Sequence, residues 1–266
     1  MSVILPVIVG CATLPDHYIS LHDRSSLTFD EVLLQIQKEK VILIGEGHER
    51  DQDHLVQLAI IKYLHENGRT VAIALEMFPA EMQTALNQWI TGAISEGDFK
   101  KAYYTAWNVP YRYYSEIFGY ARKERIPLFG INGSETLINS VAKSGTDQLS
   151  KEFRKAIRFS SCAETPEYEM MISRFGPRTI HMKKLPFLCD AELLRDTLMA
   201  YNIAGILEKG RFTVVALVGS AHALRVAVPG VLRQYYNENS KVLMPGVFAV
   251  LISREPDASM ADYIWY

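Results

Sequence analysis

Short apolar runs alternate along the chain with longer segments in which apolar residues recur at helical spacing. The apolar runs cover residues 41–44, 70–75, 126–131, 212–218 and 242–252. Runs of this kind, bounded by glycine, asparagine or charged residues, are typical of buried strands. Because helices separate them, we predict an α/β fold with a mostly parallel sheet covered by helices on both faces.

The helices are predicted from apolar residues three and four positions apart. Within 51–66 these positions are Leu55, Leu58, Ala59, Ile61 and Leu64, and Asn67 and Gly68 end the helix. The same spacing predicts further helices at about 27–38, 79–89, 189–208 and 230–237.

The middle of the chain, about 91–185, differs from the rest. Its first part is rich in aromatic residues and predicts two helices broken near Asn108 and Pro110. Its last part, from residue 134, predicts small helices and loops, with Pro166 and Pro177 as breaks. We therefore expect this region to form a helical, aromatic-rich lid or an inserted subdomain.

Composition and charge narrow the classes of function. The chain has 266 residues, of which 48% are hydrophobic, and this suits one large domain with a substantial core. Its formal net charge is −2, without a long block of one sign, so nucleic acid is not an expected partner. No glycine-rich phosphate loop is present.

The first residues form an apolar stretch that ends in a cysteine. Residues 3–9 are apolar, and Cys11 follows Gly10. The pattern is similar to a bacterial lipoprotein signal with Cys11 as the lipidated residue, although the usual preceding positive residues are missing. We predict residues 1–24 as signal and tether and 25–266 as the folded domain. An ordinary buried first strand is the alternative.

Lipidation of Cys11 would place the chain in the cell envelope, attached to a membrane. Cys162 and Cys189 would then remain as a possible disulfide in an oxidising compartment. The sequence leaves their pairing open.

Polar side chains lie where three of the predicted strands end. They are Glu46 and His48, Glu76, and His222. Parallel strands open onto one edge of a sheet, where ligands collect, so we expect these four groups to meet. Imidazole and carboxylate suit a divalent metal, and Glu46 or Glu76 could instead act as a base. The alternative is that each group caps a helix or pairs with buried backbone.

His54 follows on the next predicted helix, near Asp53 and Gln57. A ligating histidine needs a partner that fixes its tautomer, which Gln57 or Asp53 could provide. A solvated start of a helix, with acids near its positive end, is the alternative.

Six short motifs, in order over about residues 25–250, resemble the ChaN-type haem-binding lipoproteins of the Tiki superfamily. They are Gly45-Glu46-Gly47-His48 with His54 and Gln57, Leu75-Glu76-Met77-Phe78, Trp107 with Pro110 and Tyr114, Ile131-Asn132, Arg195-Asp196 with Met199-Ala200, and Gly219-Ser220-Ala221-His222 with Pro229. Two departures stand out. Asp53 replaces the first of two histidines, and a glycine before Val228-Pro229 is absent.

The resemblance implies an outer-membrane, periplasm-facing lipoprotein that binds haem in iron acquisition, as a homodimer with a tyrosinate on iron. Haem needs aromatic walls, an axial ligand and a cation for its propionates. The candidate cofactor-binding residues are His48, His54, Tyr111, Tyr113, Tyr114 and His222, with Arg112 as a propionate partner. A plain aromatic core is the alternative for the tyrosines.

The wider superfamily implies a second function. Relatives there are metal-dependent proteases or hydrolases that use paired Gly-x-x-His tags and a glutamate. The matching residues are Glu46, His48, Glu76 and His222. A scaffold or interaction module, in which the polar strand ends are merely structural, is the third hypothesis.

Overall fold

The computed structural model describes residues 13–175 and 185–266, except for the side chains of residues 174 and 175. The strands in these ranges are β1 (Tyr18–Ser20), β2 (Ser26–Leu27), β3 (Val41–Glu46), β4 (Val71–Pro79), β5 (Leu128–Asn132), β6 (Thr213–Gly219), β7 (Lys241–Pro245) and β8 (Tyr263–Trp265). The α-helices are α1 (Phe29–Ile36), α2 (Asp51–Glu66), α3 (Gln83–Thr91), α4 (Glu96–Ala106), α5 (Ser115–Glu124), α6 (Glu135–Ser144), α7 (Lys151–Ile157), α8 (Pro166–Phe175), α9 (Leu188–Lys209), α10 (Ser220–Ala223), α11 (Val228–Tyr236) and α12 (Gly246–Ile252).

All of these strands belong to one sheet, in the order β2-β1-β8-β7-β3-β6-β4-β5. The strands from β8 to β5 pair in parallel, whereas β1 runs antiparallel to both β8 and β2. The predicted α/β fold with a mostly parallel sheet is confirmed. Its register sets Glu46 of β3 beside Gly219 of β6, so the two glycine-led motifs lie at the same edge.

Alternation along each central strand divides the core into two layers. In β3, Ile42 and Ile44 face the layer that contains α1 to α5, whereas Val41 and Leu43 face the layer of α8, α9, α11 and α12. Helices α6 and α7 pack against α9 in a smaller third cluster. Both faces of the sheet are therefore covered, as near-continuous apolar strands require.

The aromatic-rich middle contributes helices to both layers. Helix α4 ends before the predicted break near Asn108 and Pro110, and α5 begins after it. The two helices bury Phe99, Tyr103 and Phe118 against one face of the sheet. Strand β5 follows at the edge of the sheet, and α6 to α8 then lie on the other side. The region predicted as a lid is thus divided by β5.

Two boundaries differ from the prediction. The run at 242–252 is a strand only at Lys241–Pro245 and is then helix α12, because an apolar run without periodicity does not distinguish a buried strand from a helix. At the start, Tyr18–Ser20 already pair with β8, so the sheet begins before residue 25. Residues 1–12 of the predicted signal, Cys11 included, lie outside the described residues.

Two further features concern the predicted envelope location. Cys162 and Cys189 form a disulfide that joins the turn before α8 to the start of α9. Among the helices described, none has both the length and the apolar composition that a bilayer-spanning segment needs.

Candidate functional site

The carboxyl ends of β3, β4 and β6 bring His48, Glu76 and His222 to one edge of the sheet. Gly219 marks how closely they approach: a Cβ atom there would lie 2.9 Å from Cε1 of His48 and 3.6 Å from Oε2 of Glu76. Nε2 of His222 is 3.4 Å from Oε1 of the same Glu76. Glu76 itself stands where the pairing of β4 with β5 shifts register, between Leu75 and Pro79. His48, Glu76 and His222, which are far apart in sequence, therefore lie together at one edge of the sheet.

Glu46 is the buried centre of the first part of this site. Its carboxylate lies 2.8 Å from Nδ1 of His48 and accepts hydrogen bonds from the Gln57 amide and the Tyr114 hydroxyl. Burial by itself would raise the pKa of Glu46, but the hydrogen bond from His48 and the nearby His54 ring outweigh it and hold that pKa below its usual value. A charged, buried carboxylate therefore orients His48.

His48 differs from the residues around it because its side chain is 36% exposed. Burial lowers the pKa of His48. The hydrogen bond to Glu46 and the charge of Glu76 raise it by more than burial lowers it, so the net shift of the His48 pKa is upward. The Trp107 ring stands edge-on to His48, with 5.1 Å between ring centroids. With Nδ1 directed at Glu46, Nε2 is the ring nitrogen that remains for a ligand.

His54 and Asp53 hold the turn that carries His48. Nε2 of His54 donates to the backbone carbonyl of His48 at 3.0 Å, and its Nδ1 lies 3.1 Å from the Gln57 side-chain oxygen. Asp53 accepts from the backbone N–H of Gly47 at 2.8 Å and from the Trp265 indole at 3.3 Å. Burial raises the pKa of Asp53. Both residues are buried, so here they act as supports of the turn.

The second part of the site is a chain of hydrogen bonds through His222. Nδ1 of His222 lies 2.6 Å from Oδ1 of Asp196, whose other oxygen accepts from the Tyr168 hydroxyl at 2.5 Å. On the far side, Glu76 accepts from the backbone N–H of Gly219 at 2.5 Å. Burial lowers the pKa of His222, but the charges of Glu76 and Asp196 raise it to about 9.

Asp196 and Tyr168 are the site residues that the sequence did not single out. Asp196 lies within one of the family-like motifs, which is the signal that could have found it. Tyr168 lies on α8 without any motif, and only packing of α8 on α9 brings it to Asp196.

The four residues predicted to bind a divalent metal form pairs instead. Glu46 binds His48, and Glu76 lies beside His222. Within 13–175 and 185–266, no group of three or more His, Cys, Asp and Glu side chains has the geometry to hold a metal ion. The divalent-metal prediction therefore finds no support here.

A cavity of about 810 Å³ opens beside His222 between the end of α4, the end of β4 and α9. Among its walls are Met77, Met82, Tyr104, Trp107, Arg195 and His222. Arg195 is held there by Glu192 at 3.4 Å and by the side-chain oxygen of Asn132 at 3.3 Å. The buried Nε1 of Trp107 has no hydrogen-bond partner among the described residues. The walls are mixed, because the carboxylates of Glu76, Glu81, Glu135 and Glu192 also line the cavity.

The three candidate tyrosines occupy different surroundings. Tyr111 lies in the aromatic core, where burial raises its pKa. Tyr114 is also buried, and burial together with the charge of Glu46 raises its pKa strongly. Tyr113 is only partly buried, and Arg112 donates to its hydroxyl at 2.5 Å with the guanidinium 3.9 Å from the ring centre. Of the three, Tyr113 has a cation beside its oxygen.

Comparison with known families and proteins gives matches over most of the chain. The family described as haem-binding uptake, Tiki superfamily, ChaN matches residues 32–232. Protein RETICULATA-RELATED 5, a chloroplastic protein of Arabidopsis thaliana, is 23% identical over 256 residues, which cover 85% of this chain. The chain spans only about a third of that relative, 34% of its length.

Solved structures share the fold. The structure of cofacial heme binding to ChaN of Campylobacter jejuni has a TM-score of 0.70 and 18% identity, over 93% of this chain and 95% of that one. An erythromycin esterase mutant, EreC, in its open conformation has a TM-score of 0.52 and 14% identity, over 85% of this chain and 76% of that one. Identities this low are informative about the fold alone.

Proposed function

The chain belongs to the ChaN family of haem-binding uptake proteins in the Tiki superfamily, and we propose that it binds haem at the edge of the sheet where β3, β4 and β6 end. The observation that carries this proposal is the partly exposed imidazole of His48. Its Nδ1 is fixed by a buried carboxylate, as in histidines that ligate metals through the other nitrogen.

The surroundings of His48 offer two groups that haem can use, an aromatic wall and a cation. Trp107 provides an aromatic wall that touches both the His48 ring and the 810 Å³ cavity. Arg195, on another wall, suits a propionate. Bound haem would supply an iron centre that accepts an imidazole or phenolate ligand. Tyr113, with Arg112 at its hydroxyl, is the phenolate candidate.

We further propose a cellular role, which the family and two features of the chain, Cys11 and a disulfide, support. In this proposal the protein lies in the cell envelope, lipid-anchored through Cys11 at the outer membrane and facing the periplasm, and serves haem or iron uptake. The Cys162–Cys189 disulfide supports an oxidising compartment. A homodimer on haem binding is part of this proposal, because cofacial binding brings two haems together.

A hemin titration of the full chain tests haem binding. We expect saturable binding, followed by the Soret band, and a loss of affinity of about tenfold or more in His48→Ala. His65→Ala is the matched control, because His65 lies on α2 and bonds to Tyr120 at 3.2 Å, outside the cavity walls. Absence of saturable binding, or equal affinity in the two variants, would overturn the assignment of His48.

A second comparison addresses the axial ligand. Tyr113→Phe is expected to remove any tyrosinate-to-iron charge-transfer band from the visible spectrum. Tyr201→Phe, at an exposed position on α9, serves as the control and should leave the band in place. A band unchanged in Tyr113→Phe would exclude Tyr113 as the ligand.

One observation favours hydrolysis as a second candidate function. Two imidazole–carboxylate pairs, His48 with Glu46 and His222 with Asp196, lie on one rim. With a pKa of about 9, His222 is protonated at neutral pH and suits a general acid. Turnover of an activated ester that disappears in both His48→Ala and His222→Gln would support this function. Turnover that persists in both variants would exclude it.

A further inference from the structure

Helix α12 has an outer face made only of apolar side chains. The helix, Gly246–Ile252, contains no polar residue. Val247, Val250 and Leu251 are 42%, 44% and 80% exposed. Val250 and Leu251 follow Val247 by three and four residues, so all three share one side of the helix. Exposed apolar residues scattered singly are normal, but a contiguous stripe marks an interaction surface.

Residues 13–17 lie beside this stripe, and Tyr266 connects the two. Tyr266 is 45% exposed, and its ring packs against Gly246, where an added Cβ would lie 2.5 Å from it. The backbone N–H of Tyr266 donates to the carbonyl of His17 at 3.1 Å. The carbonyl of Thr13 in turn lies 3.4 Å from the Gln52 amide at the start of α2. Residues 13–17 and α12 therefore lie at the same edge of the sheet as the candidate site.

We propose that the outer face of α12, with Tyr266, is a contact surface for a lipid bilayer. The apolar side chains would enter the headgroup region, and Tyr266 would stand at the interface, where aromatic residues with a polar tip are favoured. Arg254, exposed after the helix, suits a lipid phosphate. The edge of the sheet that carries His48 and His222 would then be held close to the membrane.

Two observations favour a bilayer over a second copy of the chain. Cys11 precedes Thr13 by two residues, so an acyl anchor at Cys11 would enter the membrane at this edge. The orientation of the protein on the membrane rests on the proposed anchor at Cys11. The assignment of α12 as a contact surface does not depend on that anchor. A stable protein interface uses about 20–30 residues a side. The α12 surface provides Val247, Val250, Leu251 and Tyr266, which suits a shallow membrane contact better than a dimer interface.

The test uses the full chain with Cys11→Ser, so that no acyl chain contributes. Binding to vesicles of phosphatidylethanolamine and phosphatidylglycerol is measured by flotation for Leu251→Ser and for Leu34→Ser. Leu34 is the matched control, because it is also an exposed helical leucine, 59% exposed on α1. We expect Leu251→Ser to lower the partition coefficient by about tenfold, as loss of a buried leucine predicts. Leu34→Ser should change it less than twofold.

A second readout locates the contact. Tryptophan fluorescence in Leu251→Trp should shift to the blue on vesicles and be quenched by brominated acyl chains, whereas Leu34→Trp should show neither effect. Equal partition of the two serine variants overturns the proposal. So does a Leu251→Ser variant that dissociates a dimer in sedimentation while its vesicle binding is unchanged, which would assign α12 to a second copy.

The anchor itself is tested separately, by detergent partition of the unmodified chain against Cys11→Ser from the same host. Vesicle binding through α12 in the Cys11→Ser chain supports the α12 surface even when that partition shows no anchor. Failure of the anchor and failure of the α12 surface are therefore distinguishable.

Discussion

His222 and Asp196 lie 2.6 Å apart between Nδ1 and Oδ1, although one belongs to the short helix after β6 and the other to α9. The opposite nitrogen of His222 faces Glu76 at 3.4 Å. A buried imidazole between two carboxylates retains its proton well above the usual range, and its pKa rises to about 9. His222 is therefore protonated at neutral pH, and the two carboxylates beside it offset its positive charge.

The stability of the protein should therefore depend on pH through His222. Its pKa in the folded state, about 9, exceeds the ordinary value of 6.5, so protonation of His222 stabilises the fold fully below pH 6.5. That contribution, about 3 kcal/mol from the shift, is lost as pH rises from 6.5 through 9. Urea unfolding at a series of pH values measures the slope of the free energy of unfolding against pH.

Asp196→Asn should flatten that slope, because it removes one of the two charges that raise the pKa of His222. Asp147→Asn, at an exposed position, is the control and should retain it. An equal slope in the two variants would contradict the assignment of the pH dependence to the Asp196–His222 pair.

Tyr114→Phe should destabilise the fold more than Tyr103→Phe. Both tyrosines are buried donors, but Tyr114 donates to the Glu46 carboxylate and Tyr103 to the backbone carbonyl of Val109. Hydrogen bonds to charged groups contribute about 1.5–3 kcal/mol and neutral ones about 0.5–1.5 kcal/mol. The free energies of unfolding of the two variants measure the difference. Equal losses would indicate that Glu46 is uncharged in the folded protein.

Removal of the disulfide should lower the free energy of unfolding by about 3.5 kcal/mol, the value expected for a bridge between residues 27 apart. The double variant Cys162→Ala, Cys189→Ala and the native chain are compared by thermal unfolding with and without reductant. Reductant should lower the transition temperature of the native chain alone. A reductant-insensitive native chain would show that the two thiols are not bridged in solution.

Gly219→Ala should displace His48 and weaken hemin binding. Its new methyl group would lie 2.9 Å from Cε1 of His48, closer than side chains tolerate, and overpacking of this kind costs about 1–3 kcal/mol. The control is Gly119→Ala in α5, where the new methyl group would have no neighbour within 4 Å beyond the adjoining backbone of its own helix. That helix position should gain about 0.5–1 kcal/mol. Unchanged hemin affinity in Gly219→Ala would contradict the placement of haem beside His48.

The elements that could be predicted closely are those with a strong local pattern. Helix α2 begins and ends at the predicted residues 51 and 66, because apolar periodicity marks its body and Asn67-Gly68 marks its end. Helix α1 begins at a capping box between Thr28 and Glu31. Strands β3 and β6 appear as short apolar runs because both of their faces are buried.

Elements without such a pattern could not be predicted. Strands β1 and β8 have three residues each, too few for a period, and form only because they pair with each other and with β7. Helix α12 is apolar throughout, so neither a period of two nor one of 3.6 is visible in it.

The sequence by itself determined the α/β class, the polar groups at the strand ends and the family to which the chain belongs, since each depends on residue types at short spacing. The tertiary structure decided which of those groups meet. Glu46 orients His48, Asp196 binds His222, and the Tyr114 hydroxyl donates to the buried Glu46 carboxylate. The physical reason is that hydrogen bonding, burial and the resulting pKa shifts depend on distances across the fold, which sequence spacing does not specify.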